Sequence, residues 1–209
     1  MFLLLPLLLA AYCIYKKDKR IIPIICLGVI VAVLVCGFRA FFLYSHRIIP
    51  FSFGKNAVYL LIRQSLLPVL LVYGIFFLWS KDELSFKVDC FLPLLMSFYA
   101  LYLPYNIIST SGHVFTMFPL FVKPVIFAVM IFSIALFLRC MEKAFERKSY
   151  VLAGLWITAG LISLIIPALL ETMYVLDMSY ALVLLLSVIY CALIPVLYIL
   201  CRFGILKRK

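Results

Sequence analysis

The sequence predicts an all-α integral membrane protein, a bundle of about seven transmembrane helices (six to seven). Three observations carry that prediction. Hydrophobic residues make up 68% of the 209 positions and charged residues only 13%. Mean hydropathy is +1.25. Long apolar runs alternate with short polar breaks throughout the chain. A soluble chain is about half apolar and roughly a quarter charged, because its exterior must face water. Here lipid has to solvate most of the outer surface.

The runs fall at 1–15, 21–44, 57–79, 90–111, 114–138, 150–170 and 178–201. A helix needs roughly 20 residues to cross a hydrocarbon core about 30 Å thick. Five runs meet that directly. The first has 15 residues, and the fifth is interrupted by Pro119, Lys123 and Pro124; both are expected to span with slight thinning of the bilayer. The first run lacks the basic leader and small-residue cleavage site of a signal peptide, and its basic cluster follows the apolar stretch, so it reads as a span. The whole chain, 1–209, reads as one polytopic membrane domain.

Charge asymmetry sets the expected orientation. The breaks 16–20, 80–89 and 139–149 and the tail 202–209 hold 14 of the 19 Lys and Arg residues. Basic loops stay on the cytoplasmic side, which puts the N-terminus outside and the C-terminus inside. The stretch 139–149 has a helical pattern; it extends the fifth helix or lies along the interface, where it offers a docking surface for a partner. Short loops and a basic tail suit a bacterial cytoplasmic membrane.

Pro6, Pro23, Pro68, Pro93, Pro104, Pro124, Pro167 and Pro195 lie in or at the ends of the runs. Each removes a backbone donor and favours a kink, and a neighbour must satisfy the carbonyl it frees. Several kinked helices are therefore expected.

Several function classes are excluded or weakened. The net charge of +11 belongs to loops facing anionic lipid rather than to a nucleic-acid surface. The seven cysteines form no C-x-x-C pair and have no zinc spacing, so no metal or cofactor is expected. His46 and His113 form at most a weak metal pair. No H-E-x-x-H, G-x-S-x-G or phosphate-binding loop is present. Ser111 beside His113 supplies a nucleophile and a base without an orienting third group. Acids are confined to the loops, with Glu171 and Asp177 at or beyond a helix end, which argues against a carboxylate proton relay.

The candidate site lies in the outer half. Arg39, Arg47, Arg63 and His113 flank the outer turns, with Lys123 nearby, and Gln64 adds a polar group at depth. Arg39 and Arg63 sit about 8–9 Å below the surface at the standard helical rise. Three placements are open to them: snorkelling to headgroups, pairing with Glu171, Asp177 or helix-end carbonyls, or lining a cavity for an anion, whose oxygens a guanidinium grips in pairs. The corresponding functions are a transporter, or a membrane subunit of a transport system, that binds an anionic solute or lipid headgroup; a structural subunit among partner subunits; and an enzyme acting on lipid-linked substrates.

Overall fold

The computed structural model describes residues 3–42, 52–110 and 116–200. Among them the regular structure is entirely helical: α1 (Leu4–Lys16), α2 (Ile21–Phe42), α3 (Phe53–Leu60), α4 (Leu67–Trp79), α5 (Leu84–Thr110), α6 (Lys123–Glu146), α7 (Tyr150–Val175) and α8 (Tyr180–Leu200). Two π-helical segments, Leu61–Leu66 and Phe118–Val122, join α3 to α4 and precede α6. Among the described residues five helices are long and apolar enough to cross a membrane: Ile21–Ala40, Phe53–Leu78, Leu84–Ser109, Phe118–Glu146 and Tyr150–Val175. α1, and α8 over Tyr180–Leu193, are shorter apolar helices. These helices define a membrane-embedded chain.

Several boundaries differ from those read in the sequence. α5 begins at Leu84 rather than 90, so Lys87 and Asp89 stand on its first turns. α6 carries on through 139–146, the first of the two outcomes foreseen for that stretch. The interrupted fifth run is among the five long helices, because its prolines stand near the start of Phe118–Glu146. α7 extends to Val175, which places Glu171 inside the helix and not at its end. Asp89 and Glu171 each read as a break in hydropathy yet lie inside a helix; neighbouring helices supply partners that a single run cannot reveal.

α5 is the axis of the assembly. It packs against α1, α2, α4 and α6, and α7 in turn packs on α3, α6 and α8. Phe91, Leu94, Leu95, Met96, Phe98, Tyr99, Tyr102 and Leu103 of α5 are all at most 1% exposed. Exposed apolar side chains ring the outside, among them Val33 and Leu34 on α2, Leu70 on α4, Val151 on α7 and Val188 on α8. This is the surface that lipid covers.

Two kinds of local chemistry close the bundle. α6 and α7 end in left-handed residues, Lys148 (φ 56°) and Asp177 (φ 51°). The amides after them reach back, Ser149 N–H to Ala144 O and Met178 N–H to Met173 O. These bonds satisfy carbonyls at the helix ends and turn the chain into the next helix within a few residues. At the α1–α2 turn, Asp18 accepts the Arg20 backbone N–H at 2.9 Å, and the bonds from Arg20 hold its carboxyl below the usual range. Farther along, Asp89 of α5 takes Lys16 of α1 at 3.0 Å and also Arg139 of α6. We call this the basic end and its opposite the far end.

The α2–α5 contact depends on Gly28. A Cβ placed there would lie 2.0 Å from Ser97 Oγ and 2.6 Å from the Leu94 carbonyl oxygen. Small residues let membrane helices approach this closely. Gly28→Leu is expected to force α2 off α5 and lower stability by about 1–3 kcal/mol, read as a fall in melting temperature in detergent. Gly154→Leu, at a position with open space around its Cβ, is the control; equal losses from both would refute the contact.

Candidate functional site at the far end

The prolines account for the site's framework. Pro68 has no N–H, so it cannot bond the Gln64 carbonyl four residues back, nor the Arg63 carbonyl five back in the π register. That register is present here, with Leu67 N–H bonding Ile62 O. Two buried tyrosines of α5 supply the donors: Tyr102 Oη–H to Arg63 O at 2.9 Å and Tyr99 Oη–H to Gln64 O at 2.7 Å. The same device recurs. Tyr190 of α8 donates to Ser163 O, the carbonyl freed by Pro167, at 3.3 Å. Tyr12 of α1 donates to Asp89 O, the one freed by Pro93, at 3.4 Å. Carbonyls at membrane depth must find partners within the protein, and at these three prolines hydroxyls on neighbouring helices supply them. π-helical turns are often found at functional sites; this one carries two of the candidate residues.

From that framework two hydrogen-bonded runs meet at the far end, joined through the Arg63–Gln64 backbone. Arg39 of α2 is 8% exposed. It donates to Tyr102 Oη at 2.7 Å and to Asn106 Oδ1 at 3.3 Å, and its guanidinium lies 5.3 Å and 5.7 Å from the ring centroids of Tyr102 and Tyr105. Tyr102 passes the chain to the Arg63 carbonyl. Beside it, the Gln64 side chain donates to Glu171 Oε1 of α7 at 2.9 Å. Lys123 of α6 reaches the same oxygen at 2.7 Å, in an ion pair whose side chains are 6% and 12% exposed. Four of the candidate residues, Arg39, Arg63, Gln64 and Lys123, thus stand on one network. Arg47 and His113 lie outside the described residues, as do His46 and Ser111.

Of the three placements foreseen for the arginines, Arg39 takes none unchanged. It turns inward, yet its partners are neutral hydroxyl, amide and ring faces. Arg63 is half-buried, donates to Tyr59 Oη at 2.8 Å and lies over that ring. Neither arginine makes an ion pair among the described residues; Glu171 pairs instead with Lys123. Three buried polar atoms in the adjoining π segment carry no hydrogen bond: Arg63 Nε, Gln64 Oε1 and Ser65 Oγ. Such atoms cost about 1–3 kcal/mol each unless something meets them, so this segment offers polar atoms to a ligand or an ordered water.

Tyr99 and Tyr102 are the participants that hydropathy does not single out; Glu171, named among the acids open to the arginines, pairs with Lys123 instead. A usable signal existed: counting back four and five residues from Pro68 names carbonyls that need donors, and Tyr99 and Tyr102 are hydroxyls within an apolar run. At the basic end, a cleft of about 490 Å³ is lined by Arg20, Glu83, Asp89, Arg139 and Glu142. Its acids and bases interleave and largely neutralise each other. Among the described residues no group of three His, Cys, Asp or Glu side chains could hold a metal ion. Comparison of the chain with protein-family models, curated proteins and solved structures finds no match.

Proposed function

We propose that this multi-pass membrane protein is a transport protein, or the membrane subunit of a transport system, that binds an anionic solute or lipid headgroup at the far end of its bundle. The observation that supports the reading is the charge balance of the network. It holds Arg39, Arg63 and Lys123 against one carboxylate, Glu171. Uncompensated cations in a low-dielectric setting attract an anion strongly, and guanidinium and ammonium groups are the usual ligands of carboxylate and phosphate oxygens. In this reading α1 and α8 complete seven spans. The basic end faces the cytoplasm and the site faces outward, in a membrane of the bacterial cytoplasmic type.

The test is thermal stability of the purified protein with inorganic phosphate, carboxylates and anionic lipids, for wild type, Arg39→Ala and Arg63→Ala. A ligand at 100 times its Kd stabilises the folded state by about 2.7 kcal/mol. Wild type is expected to gain stability with one anion class, and both variants are expected to lose most of that gain. Variants that respond as wild type does would discard the site.

One observation favours a second reading, a structural subunit of a larger membrane complex. Two neutral acceptors and two ring faces already hold Arg39 without a ligand. Under that reading no anion shifts stability, and partner subunits co-purify with the chain.

A further inference from the structure

We infer that Glu171 is the proton-coupling group of this site: an oxyanion that draws Lys123 to itself binds together with one proton, which the Glu171 carboxylate takes up. The inference rests on the anion-binding reading above and adds to it the ion that accompanies the anion.

Three observations lead to it. First, Glu171 lies inside a long helix at the far end, whereas the other acids on long helices, Asp89, Glu142 and Glu146, stand at the basic end beside Arg139. Second, Lys123 has its counter-charge in Glu171 and in no other described acid. An anion that takes Lys123 would leave the carboxylate buried and unpaired next to a new negative charge. A proton removes that conflict. The carboxylate becomes a neutral acid through one new O–H bond, the ammonium keeps its charge and faces the anion, and the net charge of the site is unchanged. Third, a protonated carboxyl has a donor that a carboxylate lacks, and an unused acceptor stands beside it. Gln64 is 2% exposed, its Nε2 bonds Glu171 Oε1, and its own Oε1 has no hydrogen-bond partner. Rotation of the amide converts the contact from Gln64 donating to the carboxylate into Gln64 accepting from the acid. The amide is matched to both protonation states.

The neighbours of Glu171 leave it as the group that changes charge. Lys123 of α6 and Gln64 of the π segment are the side chains that bond it. Tyr102 of α5 lies within electrostatic reach. On α8, Ser187 and Tyr190 donate to Val183 O and Ser163 O and not to Glu171.

The test is calorimetric titration of the full chain in nanodiscs of zwitterionic lipid, with sulfate, acetate and short-chain phosphatidylglycerol as probes, in buffers of different ionisation enthalpy at neutral pH. None of these probes titrates there, so the buffer dependence counts protons taken up by the protein. The two solutes and the lipid separate a free oxyanion from a headgroup. Wild type is expected to take up one proton per anion. Glu171→Gln, a mimic of the neutral acid, is expected to bind the same probe roughly tenfold tighter with no proton uptake, a coupling of ordinary size. An anion-induced infrared difference spectrum of wild type, showing a protonated-carboxyl band, gives the same answer without relying on the variant's folding. Binding without proton uptake and without that band overturns the coupling and leaves the anion site standing. If no probe binds, the anion site and its coupling fall together.

Discussion

Replacing Lys123 by methionine is expected to lower folding stability by about 3–5 kcal/mol, because it strands the Glu171 carboxylate inside the bundle with only the Gln64 amide for company. The size of the effect comes from what is left behind rather than from the worth of the pair. Bringing two charges out of water costs nearly as much as their attraction returns, so a buried pair adds little net stability while a buried single charge is strongly unfavourable. The double variant Lys123→Met/Glu171→Gln removes both charges and keeps an acceptor for Gln64 Nε2. It is expected to recover most of the loss and come within about 1 kcal/mol of wild type, the net scale of one hydrogen bond. Unfolding in mixed micelles of the wild type, both singles and the double completes the cycle. Equal losses in the single and the double would mean that the contact at 2.7 Å carries no coupling.

That cycle concerns the part of the molecule that the sequence hides. The membrane-embedded, all-helical character is legible in composition and run length, because lipid imposes its requirement on every residue at once. The crowding of basic residues at 16–20 and 139–149 likewise singles out one end. What cannot be read is convergence. Glu171 looks like the polar end of an apolar run until α6 and the π segment bring Lys123 and Gln64 to it. Asp89 looks like part of a loop until Lys16 and Arg139 reach it from α1 and α6. Both residues cause the same error of boundary, since hydropathy scores a charge without knowing its partner. Arg39, Arg63, Gln64 and Lys123 were still legible as candidates: a charge or amide at membrane depth needs a reason, whichever reason it turns out to be. Their tyrosine partners were not, because tyrosine in an apolar run scores as an ordinary hydrophobe. Its hydroxyl becomes informative only beside a carbonyl that proline has freed.

The tyrosines give the second large effect. Tyr102→Phe is expected to cost about 2–5 kcal/mol, because one hydroxyl serves two buried groups, each worth about 1–3 kcal/mol when stranded and more when charged. It accepts from Arg39 Nη1 at 2.7 Å and donates to Arg63 O at 2.9 Å, so its loss leaves a guanidinium and a carbonyl short of partners in a buried setting. Tyr99→Phe makes the comparison internal. Its hydroxyl bonds only the Gln64 carbonyl, at 2.7 Å, and its loss is expected to cost about 1–3 kcal/mol. Both rings are fully buried and both stay in place on substitution, so neither variant opens a cavity and the difference between them isolates Arg39. The two variants also divide structure from binding. If Tyr102 positions Arg39 for an anion, Tyr102→Phe weakens anion-dependent stabilisation beyond its effect on the free protein, while Tyr99→Phe lowers stability and leaves the anion response as in wild type. Equal losses from the two variants would show that Arg39 gains nothing from Tyr102, and the link from α2 to the π segment would be broken.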